Sequence, residues 1–170
     1  MNKKDTLVAF GEALWDCLPS GLFLGGAPFN VAYHAARLGL KASPATCVGR
    51  DFLGDQVVDR AVAAGLGIGL IARHPFLPTG VAVAELDASS NAKYDIRRPV
   101  AWDAIQLDDE QMKELRDASI LVYGTLAGRS KENRERLIRV LGEAKGLKLC
   151  DVNLRAPYDD RDRAFELARR

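Results

Sequence analysis

The sequence predicts an α/β domain: a parallel sheet flanked by helices, with a small inserted antiparallel β hairpin. Two observations carry this. Short apolar runs alternate with stretches of helical periodicity along the 170 residues, the pattern of strand–helix–strand units. One segment, about 80–98, breaks the rhythm and reads strand, turn, strand, an inserted hairpin. With 48% apolar residues the chain can bury a substantial core. Its formal net charge is +1, with acids and bases interleaved. Neither a nucleic acid nor a membrane is indicated as a partner.

The elements follow in order. Residues 7–11 read as a buried strand. Residues 29–38 read as a helix, with Gly39 where its C-terminal cap belongs. A strand is predicted over 42–48. A helix follows over 54–64, with Val57, Val58, Ala61 and Val62 at helical spacing before the break at Gly65-Leu66-Gly67. Residues 68–72 read as a third strand. The hairpin arms are 80–86 and 92–97, with Tyr94 and Ile96 on one side of the second arm. Val81 and Val83 on the first arm add to its apolar surface. Residues 108–117 read as a helix capped by an acid, and 120–123 as a core strand. Ser130 opens a long helix with Leu137, Ile138 and Leu141 on one face. The apolar run 147–152 reads as the last strand here, central only where a longer parent adds strands beyond it and otherwise an exposed apolar edge, and Arg161 begins a last helix. No repeat or linker divides 1–170.

Lys3 and Lys4 could begin a leader, but the following apolar stretch is broken by Gly11, Glu12 and Asp16. No export signal is read, and a cytoplasmic protein is expected. Cys17, Cys47 and Cys150 are far apart and odd in number. Reduced, mostly buried thiols are expected, with no metal site.

The stretch Gly25-Gly26-Ala27-Pro28-Phe29-Asn30 is a binding device. The glycines allow a sharp turn and close approach of a ligand to bare backbone. Pro28 suits the first turn of a helix. Asn30 lies at the end where unpaired N–H groups collect. With Gly39 and Gly49 at their intervals, the pattern resembles the N-terminal signature of the ribokinase (PfkB) family of carbohydrate kinases. The blocks Gly11-Glu12-Ala13-Leu14-Trp15-Asp16, Val100-Ala101-Trp102-Asp103, Gly124-Thr125-Leu126-Ala127-Gly128-Arg129-Ser130 and Asp151-Val152-Asn153-Leu154-Arg155 resemble its fructokinase-like branch, in the same order.

That resemblance implies a ribokinase-like fold, with the hairpin as a small antiparallel β lid, and transfer of phosphate from ATP, with Mg²⁺, to a hydroxyl of fructose or a related ketose. It implies a small-molecule sugar as partner and a homodimer formed through the lid. Asp16, Gly25, Gly26, Asn30, Asn153 and Arg155 would hold the sugar, and Val83, Tyr94, Ile96 and Arg98 would belong to the lid. Asp16 is expected just past a strand's carboxyl end, where α/β sheets place ligands. A carboxylate accepts two hydroxyl hydrogen bonds, which suits a polyol. A capping or solvated acid is the competing reading, as helix capping is for Asn30. Arg155 suits a phosphate, or a salt bridge with Asp159 or Asp160. Trp15 and Trp102 read as core or loop anchors, His34 as a packed, hydrogen-bonded residue, and His74 has no assigned role.

Arg98 departs from the fructokinase-like pattern, where an acid is frequent, and favours an anionic substrate. A ketodeoxygluconate-type sugar acid kinase is therefore the alternative, ahead of a nucleoside kinase. There is no G-x-x-x-x-G-K-[ST] loop. The family's Gly-Ala-Gly-Asp motif, with its anion hole and catalytic base, is also absent from these 170 residues. The chain is expected to be an N-terminal portion, with no catalytic residue of its own and no activity alone. It is also expected to self-associate through exposed apolar strands. A non-catalytic sugar-binding or dimerising fragment is the reading from a different class.

Overall fold

A computed structural model of the chain describes residues 5–86, 92–154 and 156–170. Nine strands and five helices fall into two β layers and their covering helices among these residues. The larger sheet contains β1 (Thr6–Phe10), β4 (Lys41–Gly49), β5 (Ile71–His74), β8 (Ile120–Gly124) and β9 (Leu147–Asp151), in the order β5-β4-β1-β8-β9. All four pairings are parallel. Successive residues of β1 go to opposite sides. Val8 and Phe10 enter one core with Ile105, Leu115, Leu121 and Leu137. Leu7 and Ala9 enter the other with Phe29, Ala32, Val57 and Val122. A strand buried on both faces reads as a continuous apolar run, and Leu7-Val8-Ala9-Phe10 is one.

Helices α1 (Ala27–Arg37) and α2 (Phe52–Ala63) cover one face; α3 (Asp109–Asp117) and α4 (Lys131–Glu143) cover the other. The short α5 (Arg161–Ala168) seals the core of Val8 and Phe10 with Leu167. Their starts are chemically marked. Asp51 caps α2 by accepting from Gly54 N–H at 2.8 Å. Asp108 and Gln111 form a reciprocal box at α3. Ser130 accepts from Asn133 N–H at α4. At the other end of α1, Gly39 adopts φ +93° and bonds back to Ala36, as its predicted capping role requires.

Several expectations are corrected. The third strand starts at Ile71, not 68, because residues 68–71 form a turn through Gly69, closed by the Ile71 N–H on the Ile68 carbonyl at 3.0 Å. The first strand ends at Phe10, because Gly11 turns the chain at φ +153° against the Pro28 ring. A separate strand, β2 (Leu14–Leu18), then runs antiparallel to β3 (Gly21–Gly25). The predicted hairpin exists as β6 (Gly80–Leu86) and β7 (Ala92–Ile96), antiparallel. Its turn, 87–91, lies outside the described residues. Parallel pairing of β2 with β6 makes a four-stranded lid, β3-β2-β6-β7, larger than the expected hairpin. The expected exposed apolar edge is present: β9, ending at Asp151, is the sheet's outer strand among the described residues, with Leu147 58% and Leu149 45% exposed.

The lid is rooted at two points. Where β6 begins, Asp51 accepts from Thr79 N–H at 2.8 Å and from Thr79 Oγ1–H at 2.6 Å. Where β7 ends, the buried Arg129 guanidinium donates to the Ile96 and Arg97 carbonyls. It also grips Asp103 with two bonds, 2.7 and 2.9 Å. Its plane lies 3.8 Å over the Trp102 ring and 4.6 Å from Tyr158. Trp102 is fully buried, and Trp15 nearly so, with its Nε1–H on Leu53 O. Both are core anchors, as expected.

Candidate functional site

β1 is followed in space by β4 on one side and β8 on the other. Connections therefore reverse direction at β1/β8, the point in an open α/β sheet where a crevice forms beyond the carboxyl ends. The lid sheet overhangs this point. A cleft of about 190 Å³ lies between them, lined by Glu12, Leu14, Asp16, Gly26, Ala27, Asn30, Ala82, Tyr94, Ile96, Leu126 and Asn153.

Four of the six predicted sugar-site positions are on that lining: Asp16, Gly26, Asn30 and Asn153. Asp16 reaches it from a different place than expected. It sits in the middle of β2, inside the lid sheet, and not past the end of a core strand. Strand alternation then sends Trp15 to the helix side and Asp16 to the cleft. Gly25 serves Asp16 directly, because a Cβ there would collide with the Asp16 carboxylate. Gly26 caps α1 at φ +106°, and a Cβ there would strike the Glu12 carbonyl. Pro28 lies in the first turn, as read from sequence, and Asn30 follows at the exposed, cleft-facing end of α1. Asn153, just beyond β9, takes φ +20°. Arg155 lies outside the described residues.

The lid residues divide by parity. Tyr94 and Ile96 line the cleft with Ala82, so the second arm behaves as predicted. Val83 belongs to β6 but is one residue out of phase with Ala82, so Val81 and Val83 do not share the surface of Tyr94 and Ile96. Arg98 is exposed beyond β7 and outside the cleft lining. His34 is corrected from a packed residue to an exposed one, edge-on to the Tyr33 ring on the outer face of α1. All three cysteines are free; Cys47 is buried, Cys17 and Cys150 half-buried.

Two features of the site escaped sequence reasoning. Glu12 is 3% exposed, yet it lines the cleft and holds the Ala27 N–H on Oε1 at 3.1 Å. Burial pushes its carboxyl up to about 7; the bonds from backbone N–H groups pull the other way, and Asp151 adds to the rise. A lone acid between Gly11 and Ala13 in an apolar stretch was the available signal. The Arg129–Asp103 root of the lid joins residues 26 positions apart, and nothing local advertises such a pair.

The residues present fit a neutral polyol. They offer a carboxylate acceptor, two amide side chains, bare backbone and apolar walls. Among the described residues no group of three or more His, Cys, Asp or Glu side chains is placed to hold a metal ion, and no helix is long and apolar enough to cross a membrane.

Comparison with known proteins agrees with this arrangement. The chain is 29% identical to a putative sugar kinase of Pyrococcus horikoshii over 77% of its own length and 43% of that protein's. It is 28% identical to a probable fructokinase of Arabidopsis thaliana over 92% of its length and 53% of that protein's. The crystal structure of fructokinase from Xylella fastidiosa superposes with a TM-score of 0.83 at 26% identity, over 96% of this chain and 56% of that one. The same enzyme with bound ATP gives 0.78. The chain thus spans about half the length of the curated relatives it matches. The family model for pfkB family carbohydrate kinases matches residues 20–168, and the chain belongs to that family.

Proposed function

We propose that this chain forms the sugar-holding half of an ATP-dependent sugar kinase, acting on the primary hydroxyl of fructose or a related ketose. The observation that carries the reading is the cleft at the β1/β8 reversal. There Asp16 from the lid, Asn30 from α1 and Asn153 beyond β9 converge on one small cavity beside the bare Gly26 backbone. Asp16 would accept from two sugar hydroxyls, and Asn30 and Asn153 would each offer both donor and acceptor. Arg155 is assigned to the reacting end by resemblance. Tyr94, Ile96 and Ala82 would cover the apolar side of the sugar and exclude water.

ATP would deliver the phosphoryl group, as the ATP-bound relative suggests. Mg²⁺ would be carried by the nucleotide's phosphate oxygens and not by a cage of this chain's carboxylates. Phosphoryl transfer depends on positioning and charge stabilisation. These residues supply the positioning of the acceptor, while the Gly-Ala-Gly-Asp element occurs at none of the 170 positions. The 170-residue chain alone is accordingly expected to give no sugar-dependent ATP turnover in a coupled assay with a ketose panel. Turnover that a substitution within this chain abolishes would show that the catalytic base lies here. The exposed lid is also the proposed surface of a homodimer.

Asp16→Asn in the full-length protein tests the site itself. Asparagine keeps one carbonyl oxygen, so about one charged hydrogen bond worth about 1.5–3 kcal/mol is lost, and fructose affinity should fall about 10–150-fold. ATP affinity should stay the same. Calorimetric titration with each ligand reads both. Unchanged sugar affinity would leave Asp16 a structural acid. Tighter binding of a keto sugar acid than of fructose would favour the sugar-acid kinase prompted by Arg98.

A further inference from the structure

Among the described residues Glu12 is the only buried acid. It follows β1 directly and so stands at the reversal point of the sheet, beneath the cleft. One oxygen is used: Oε1 accepts the Ala27 N–H, the first peptide of α1. The other, Oε2, is buried without a hydrogen-bond partner. The end of β8 lies against it: a Cβ added to Gly124 would lie 3.6 Å from Oε2. A carboxylate in such a place is a poorly solvated charge, whereas a neutral acid loses far less on burial. The charged groups acting on it are Asp151 on β9, which disfavours its ionisation, and Arg129 after β8, which favours it. Asp16, across the same cleft, is a further acid on the lining.

We propose that Glu12 is a positioning residue of the sugar cleft: it pins the Gly26–Ala27 turn and takes up a proton from solvent when a sugar fills the cleft. The inference rests on the sugar-site reading above. A ligand seated over Gly26 and Ala27 replaces the water filling the cleft that Glu12 lines, the nearest high-dielectric medium able to screen a charge on its carboxyl. Loss of that water makes the anion costlier, so the ligand favours the protonated acid. By linkage the protonated protein then binds sugar more tightly. The proton passes from solvent to Oε2, and no other bond changes. Glutamine at this position keeps the shape and a carbonyl oxygen for Ala27 but cannot ionise.

The experiment measures fructose affinity of the full-length protein and of its Glu12→Gln variant from about pH 6 to about pH 8.5, together with thermal stability without ligand. If ligand raises the carboxyl's pKa by about one unit, wild-type affinity falls up to about tenfold across the range. The variant stays near the wild-type affinity at low pH throughout. Stability has a matching sign. The folded carboxyl titrates near 7, above its ordinary value. The stabilisation from the neutral form is therefore complete below the unfolded value and is lost as pH rises through 7. The variant's Tm advantage over wild type should widen with pH. Flat wild-type affinity, or the same slope in both proteins, overturns the role of Glu12. A Tm difference that does not change with pH also overturns it. Absence of fructose binding in both proteins at every pH overturns the sugar reading, and the ligand-coupled uptake with it.

Discussion

Arg129→Ala is expected to destabilise the protein by about 3–5 kcal/mol, the cost of removing one partner from a buried ion pair. The Arg129 side chain is 1% exposed and that of Asp103 14%. Deleting the guanidinium strands the Asp103 carboxylate and frees the Ile96 and Arg97 carbonyls, which end the lid strand β7. It also removes a cation stacked on Trp102 and Tyr158. Arg129→Lys should recover little, since an ammonium cannot reproduce the two-point grip. Arg129→Met combined with Asp103→Leu should cost less than Arg129→Met alone, because it leaves no orphaned charge. Urea denaturation of the four proteins reads these differences. A loss below about 1 kcal/mol for Arg129→Ala would mean that the pair behaves like a surface salt bridge.

Gly26→Ala is the second large effect. The position requires φ +106°, and the added Cβ would meet the Glu12 carbonyl with backbone on both sides. Strain at such a φ costs about 1–3 kcal/mol by itself. The collision can be relieved only by moving the start of α1, and with it Asn30. Sugar affinity should therefore fall beyond measurement while the fold persists with a lowered Tm. Gly39→Ala separates the two causes. That residue is also left-handed, at φ +93°, but has open space around its Cβ, so only strain should appear and affinity should hold. Wild-type affinity in Gly26→Ala would remove the turn from the site.

Most core elements were legible because their signals are local. Asp108, Ser130 and Gly39 announce helix ends through bonds to residues within four positions. The alternation in Lys93-Tyr94-Asp95-Ile96 gave the cleft-facing pair. The candidate site residues were legible as types in a spaced motif and in blocks around it, and Asp16, Gly26, Asn30 and Asn153 do line one cleft. Their route was not legible. Strands β2 and β3 are short and flank a turn at Pro19-Ser20, and β2 is stabilised by pairing with β6, a strand more than sixty residues later. A single sequence shows none of that pairing. The same limit hid Arg129 with Asp103. Each block was noticed for its resemblance, while the charge pair linking them is a tertiary fact. Pro44 is a milder case. It lies in β4, beside the central β1, where a missing N–H is ordinarily excluded. It is tolerated because β5 joins only from Thr46 onward.

The placement of the tryptophans gives the molecule an optical readout of its lid. There are two in the chain, one within the lid sheet and one at the root where β7 ends. Trp15 lies on β2, next in sequence to Asp16 and with its indole on Leu53 O. Trp102 lies beneath the Arg129 clamp. Each ring has a guanidinium within 5 Å, Arg60 at 4.7 Å and Arg129 at 3.8 Å, and each is shielded from water. Emission from the seated lid should be blue-shifted and partly quenched. Lifting the β6–β7 arm would expose Trp102 first and leave Trp15 dark to solvent. Replacing either indole by phenylalanine would assign the signal to one ring. Lid seating could then be followed in real time on the unlabelled protein, with the chain itself as the dye.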